Sequence, residues 1–279
     1  MLLNNFASSR YITNRFMIPD INLQPRQKLY FASDFHLGYP DYHTSLQRER
    51  KIIRWLESVQ DTAAHIFLMG DLFEFWFEYG HVVPKGYVRL LGKIAELTDG
   101  GLPVSIFTGN HDLWMFKYFT QELGTPIYRH PQSFICNGKK LLVGHGDGLG
   151  PGDTSYKILK KYFFEVKFFQ WCFDKLPAFV GVGFANAWSR ESKKKGNAHY
   201  FLGDNERIWQ YCKKKHQENP HHFYIFGHRH FPLNLTVAAS NCSFTGQYIN
   251  LGEWMNFCTY VSFDGNHAEL LSFENTYNL

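Results

Sequence analysis

The sequence predicts an α/β fold of layered sheets, and three observations carry that prediction. Apolar strand-like segments alternate with polar turns and amphipathic helical segments through the first half of the chain. The stretch 233–273 reads instead as short strands in succession, so much of the later sheet is expected to be antiparallel. Five apolar strands each run straight into a turn that carries a carboxylate, a histidine or both. Open α/β folds bind ligands at the carboxyl ends of their strands.

The elements follow in order. Residues 1–27 read as an N-terminal extension with an edge strand, and residues 28–279 as the main domain. KLYFA at 28–32 is the first strand, and SDFHLG follows it. A helix is expected over 44–60, where Ile52, Ile53, Leu56 and Val59 share one face. HIFLM at 65–69 runs into GDLFEFW. The spacing then predicts a helix over 84–98, started by Pro84 and ended by Gly100 and Gly101. PVSIF at 103–107 leads to TGNHD and a helix over 113–123. KLLVG at 140–144 ends in HGD, and HFYIF at 222–226 ends in GHRH. NLTVA, QYINL, FCTYVSF and AELLSF form the closing strands.

Composition narrows the class. The chain has 279 residues, enough for a large core, and 44% hydrophobic and 18% aromatic residues mark it as globular rather than disordered. A net charge of +4 is too mild to argue for nucleic acid. Cys136, Cys172, Cys212, Cys242 and Cys258 are odd in number and scattered, which argues against a disulfide framework or a zinc ribbon and for a reducing compartment. No signal-peptide run and no membrane-spanning run is present, so the expected location is cytoplasmic.

The strand-end turns supply Asp34, His36, Asp71, Asn110, His111, His145, His228 and His230. In an extended D-x-H or H-x-H unit, residues i and i+2 share a face and can meet one ion. A mixed carboxylate, amide and imidazole set suits Mn²⁺, Fe²⁺ or Zn²⁺ better than Ca²⁺. Seven ligands, with His111 left aside, exceed the needs of one catalytic ion and suit two if Asp71 bridges. Any one of these turns alone reads as a plain turn; five together at strand ends do not.

The ordered set D-x-H, GD, GNH, HGD and GHxH, from Asp34 to His230, resembles the calcineurin-like metallophosphoesterases. The resemblance implies a four-layer αββα sandwich. It implies one ion on Asp34, His36, Asp71 and His230, and another on Asp71, Asn110, His145 and His228. It also implies a water-derived nucleophile attacking phosphorus between the two ions, with Asp71 and Asn110 in the catalytic set. His111, beside a ligand, is then suited to bind phosphoryl oxygens or protonate the leaving group. Asp112 is expected to orient His111 or to cap the following helix.

Residues 150–200 read as an insertion. They hold nine Lys or Arg against four Asp or Glu and twelve of the chain's fifty aromatics. Within 154–175 the spacing predicts a helix with two stripes. Leu159, Tyr162, Val166, Phe169 and Phe173 form one; Phe164, Phe168 and Trp171 form the other, among lysines. That second stripe suits a membrane surface or an acyl chain better than the bases of a nucleic acid, so no nucleic-acid partner is expected. With GDLFEFW, NLGEW and the Gly/Asp loop after HGD, these features resemble the UDP-2,3-diacylglucosamine hydrolases of lipid A biosynthesis. That resemblance implies cleavage of a lipid-linked nucleotide sugar to UMP and an acylated sugar 1-phosphate, usually with Mn²⁺, at the inner face of the cytoplasmic membrane. It implies a helical lid at about 150–200 and substrate contacts from Asp153, Arg190, Ser192 and Lys195. Two departures stand out. GNHD replaces the family's common GNRD, and Lys193, Lys194 and Lys195 precede the register where a lid lysine is usual. The alternative is a calcineurin-like phosphodiesterase or nucleotide phosphatase whose insertion is an oligomer contact.

Overall fold

The computed structural model describes residues 18–80, 82–175 and 200–274. Two sheets form its centre. The first orders β11-β10-β1-β2-β3-β4 and the second orders β5-β6-β7-β9-β8. In the first sheet β1 (Lys28–Ala32), β2 (Ala63–Leu68), β3 (Val104–Phe107) and β4 (Ile127–Tyr128) run parallel, and β10 (Thr259–Phe263) and β11 (Ala268–Ser272) extend it antiparallel. In the second, β6 (Lys139–Gly144), β7 (Phe223–Phe226) and β9 (Gly246–Asn250) run parallel; β5 (Gln132–Cys136) and β8 (Leu233–Val237) flank them antiparallel. The late strands are therefore mostly antiparallel, as expected, with β9 the exception.

Period-two alternation sorts the side chains into layers. Leu29 and Phe31, Phe67, Phe107, Leu141 and Val143, Ile225 and Ile249 meet between the sheets. Their neighbours Tyr30, Ala32, Ile66, Leu68 and Ile106 face outward onto α1 (Tyr42–Val59) and α2 (Val88–Asp99), through Ile52, Trp55, Leu56, Leu90 and Ile94. On the other flank Leu142, Tyr224, Phe226 and Tyr248 pack on Ile208 and Cys212 of a further helix at 207–218. The result is helix, sheet, sheet, helix, the four-layer αββα sandwich.

Local chemistry sets the helix ends. Asp41 caps α1 by accepting from the Thr44 amide at 3.0 Å. Helix α2 starts at Val88, four residues after Pro84, and its first amides are satisfied from another helix: Glu49 of α1 accepts from Arg89 and Leu90 at 2.9 and 3.1 Å.

Four expectations change. The helix over 113–123 contracts to α3 (Tyr118–Glu122), because Arg129 takes the carbonyls of Leu113 and Met115, and Trp114 turns toward the insertion. Strands β4 and β5 and the helix at 207–218 have no counterpart in the sequence reading. The single helix over 154–175 is three pieces: α4 (Thr154–Leu159), a π-helical turn at 160–164, and α5 (Lys167–Asp174), with extended Val166 between the last two. The helix at 207–218 is α6. The break resets the helix phase. Phe164 lies against Trp114, whose Nε1–H donates to the Phe164 carbonyl at 3.0 Å, while Tyr162, Phe168 and Trp171 are exposed. The predicted stripes are thus mixed, with Phe173 buried against Trp114 and Phe77.

Residues 18–23 are not loose. Ile18 is buried, and Ile21 exchanges backbone hydrogen bonds with Ile135 and Asn137 at the β5 edge. All five cysteines are free. Among the described residues no helix is long and apolar enough to cross a membrane.

Candidate metal centre

Strands β1, β2 and β3 in one sheet and β6 and β7 in the other deliver their carboxyl ends to the same edge of the sandwich. Asp34 and His36 follow β1, Asp71 follows β2, Asn110 and His111 follow β3, His145 follows β6, and His228 and His230 follow β7. Asp34, His36, Asp71 and His230 place one ligand atom each within 4.8 Å of one another, all buried. Asp71, His145 and His228 form a second such group, so Asp71 belongs to both.

The backbone achieves this differently from the extended D-x-H geometry read in the sequence. Asp34, His36, Asp71, His228 and His230 all have positive φ, between +44° and +67°. Left-handed backbone is uncommon for residues with a Cβ and is retained where surrounding structure over-determines it. In the GHRH turn this bend sends His230 to the first group and His228 to the second, so one H-x-H unit serves two centres. The glycines explain the G-D, G-N and G-H pairs. A Cβ on Gly109 would stand 2.2 Å from Asp71 Oδ1, and one on Gly227 would stand 2.5 Å from Asp34 Oδ2. Only bare backbone fits so close to the two carboxylates.

Asp34, Asp71 and His145 are each held at one side-chain atom and left without an aligned hydrogen bond at the other. Asp34 Oδ2 accepts from Ser33 Oγ at 2.5 Å and from the His228 amide at 3.0 Å, while Oδ1 faces His230 Nε2 at 3.1 Å without hydrogen-bond alignment. Asp71 Oδ1 accepts from the His111 amide at 2.9 Å, and Oδ2 is orphaned. His145 Nδ1–H donates to the Met69 carbonyl at 2.9 Å, which leaves Nε2 facing Asp71 Oδ2 at 3.3 Å without hydrogen-bond alignment. His36 Nδ1 meets Glu74 Oε2 at 3.0 Å, and its Nε2 sits 3.0 Å from His230 Nε2. The Asn110 side-chain oxygen is also buried and unpartnered. Buried polar atoms are rarely left so, because stranding one costs about 1–3 kcal/mol. Four such atoms in one place, three oxygens and one imidazole nitrogen, fit divalent cations of the Mn, Fe or Zn type.

Electrostatics agree. Burial opposes charge on Asp71, yet His145, His111 and His36 hold its carboxyl well below the usual range. Burial likewise opposes a charged His145, but facing Asp71 outweighs it and lifts the imidazole to about 10. Burial pushes His36 and His228 down to about 4, which keeps them neutral and able to ligate.

Further groups brace the loops. Arg48 of α1 is buried and donates to the carbonyls of Phe35, His36 and Tyr39 at 2.8–2.9 Å. Asp112 neither orients His111 nor caps a helix. Its carboxylate accepts from Gly109 at 2.7 Å, Leu72 at 2.8 Å and Asp71 at 3.3 Å, tying the GD loop to the GN loop. Glu74, inside GDLFEFW, meets His36. Of the expected substrate contacts, Asp153 pairs with Arg207 at the start of α4. Arg190, Ser192 and Lys195 lie outside the described residues.

No family model matches the chain. A UDP-2,3-diacylglucosamine hydrolase of Porphyromonas gingivalis is 32% identical over 269 residues, spanning 89% of this chain and 98% of that protein. A protein of the same name from Vibrio atlanticus is 24% identical over 251 residues, spanning 87% and 96%. Among solved structures, Yfce, a phosphoesterase from E. coli, aligns over 90% of this chain and 96% of its own at a TM-score of 0.43 and 16% identity.

Proposed function

The chain belongs to the UDP-2,3-diacylglucosamine hydrolase family, and on that premise we propose that it hydrolyses the pyrophosphate of UDP-2,3-diacylglucosamine to UMP and 2,3-diacylglucosamine 1-phosphate. The observation that supports this most is the pair of ligand groups sharing Asp71 at the convergence of five strands. Asp34, His36, Asp71 and His230 would hold one divalent ion, and Asp71, Asn110, His145 and His228 the other. Two such ions, Mn²⁺ being the expected metal, would supply Lewis acidity and a water of lowered pKa as the nucleophile.

The chain's own residues do the rest. The Glu74 contact turns His36 Nε2 toward the centre, as outer-shell carboxylates do for ligating histidines. His111 Nδ1–H donates to the Glu74 carbonyl at 3.1 Å, which leaves Nε2 for a phosphoryl or leaving-group oxygen. Phe168, Trp171 and Tyr162, exposed beside Lys161 and Lys167, support a peripheral seat on the anionic inner face of the cytoplasmic membrane, where the lipid substrate lies.

The test is a phosphorus NMR assay with UDP-2,3-diacylglucosamine and Mn²⁺ in ¹⁸O-labelled water. UMP should appear, with the label on the phosphorus attacked. Absence of turnover alongside rapid cleavage of a simple phosphodiester would move the activity to another branch of the metallophosphoesterases.

A further inference from the structure

A cavity of about 370 Å³ opens beside His145, on the side of the centre bounded by the loops after β3, β4 and β6 and by the insertion. Its volume is in the range that small-molecule sites occupy. Its lining combines three kinds of surface. Phe107, Pro131 and Leu149 give apolar walls. Arg129, Lys157, Lys160 and Lys161 give positive charge, against Asp147 and Glu165. Thr108 gives a hydroxyl that is buried and has no hydrogen-bond partner among the described residues.

The π-helical turn at 160–164 sets this wall. It brings Lys160 and Lys161 to the cavity that Lys157 of α4 already lines, and it places Phe164 on Trp114. Inserted π turns recur at functional sites because the extra residue re-aims side chains. Two of the lysines are already engaged: Lys160 pairs with Asp147 at 2.6 Å, and Lys157 donates to the Gly150 carbonyl at 2.5 Å. Lys161 has no carboxylate partner among the described residues and stands over the Tyr162 ring, 5.2 Å from its centroid.

We propose that this cavity is the subsite for the nucleotide half of the substrate, with the uracil and ribose against the apolar walls and Thr108, and the phosphate side toward Lys161 and His145. The proposal rests on the hydrolase reading above and adds the place of one product. An acyl chain is a poor occupant. It would strip water from the cations and leave the Thr108 hydroxyl stranded. A nucleoside monophosphate offers an anion to the lysines, hydrogen-bonding edges to the hydroxyl and a flat face to the walls. The exposed aromatics Phe168 and Trp171 lie on α5, none of whose residues lines the cavity, and that leaves a separate surface for the acyl half.

The experiment uses the Mn²⁺-loaded full chain, with UMP and 2,3-diacylglucosamine 1-phosphate as product inhibitors and UMP binding followed by calorimetry. Lys161→Glu should weaken UMP by about tenfold or more, since it replaces a charge-assisted contact with a repulsive one. Thr108→Val keeps the shape and removes the hydroxyl, and should weaken UMP by roughly fivefold. The inhibition constant of the acylated product should change by less than about twofold in both. Unchanged UMP binding in both variants, or equal weakening of both products, overturns the subsite and leaves the hydrolase reading standing. Failure of the wild-type chain to release UMP from UDP-2,3-diacylglucosamine overturns both.

Discussion

At the scale of single residues, the centre depends most on Asp71, because one carboxylate serves two ligand groups. Asp71→Asn keeps the volume and removes the charge, so metal content measured by elemental analysis should fall for both ions together. Loss of a single ion would show that Asp71 does not bridge. Glu74→Gln should be milder. Outer-shell partners of ligating histidines typically contribute about 10–100-fold in metal affinity, so titration with Mn²⁺ should show one ion weakened by that order. The cluster was legible because its residue types and spacing repeat at strand ends. Asp112 was not. Next to a ligand it reads as an orienting group or a cap, and only the fold brings the amides of Asp71 and Leu72 to it across forty residues of sequence. Asp112→Ala strands three buried amides and should cost roughly 2–4 kcal/mol in denaturant unfolding. A cost near zero would mean that water replaces the carboxylate.

At the scale of elements, the helices show why boundaries are harder to read than types. Helix α1 was legible from its apolar period, and Asp41→Ala should lower stability by about 1 kcal/mol as an ordinary lost cap. Helix α2 begins later than Pro84 suggests because Glu49, from another helix, fixes its first amides. The helix expected at 113–123 has a good local pattern, but Arg129 claims two of its carbonyls and Trp114 anchors the insertion. Tertiary partners override propensity in both cases. The insertion's stripes failed for a related reason: a helical wheel assumes one phase, and the π turn and Val166 change it. Strand β4, at two residues, is too short for alternation to declare itself. On β2, His65 stacks on Phe67 at 4.1 Å between ring centroids, and burial pushes its imidazole down to about 4 from 6.5. The unfolded chain therefore binds the proton first. The stability His65 contributes is fully present above pH 6.5 and is lost as the pH falls toward 4. His65→Phe should flatten the acid limb of a stability profile measured by urea unfolding.

At the scale of the whole molecule, the parallel strands could be read as α/β and the late strands as mostly antiparallel, but their division between two sheets could not. β1 pairs with β10 and β7 with β9, contacts that no local pattern announces. That division faces the loops of one sheet against those of the other, and it buries carboxylates and imidazoles together where only an ion or a proton can reconcile them. In the metal-free chain a proton at His145 should do so, because Asp71 lifts its imidazole to about 10 against the opposing effect of burial. A raised histidine contributes stability that is present below its unfolded value of 6.5 and is lost as the pH rises through about 10. Metal-free protein should therefore lose stability from pH 6.5 upward from this pair. Metal binding must displace that proton, so affinity should rise over the same range. Ligand binding stabilises by about 4 kcal/mol when free metal is a thousandfold above its Kd. The gap in Tm between Mn²⁺-loaded and EDTA-treated protein should thus widen between pH 6.5 and about 8.5. A gap that stays constant across that range would mean that His145 carries no proton in the metal-free centre and that the sandwich holds its carboxylates by some other means.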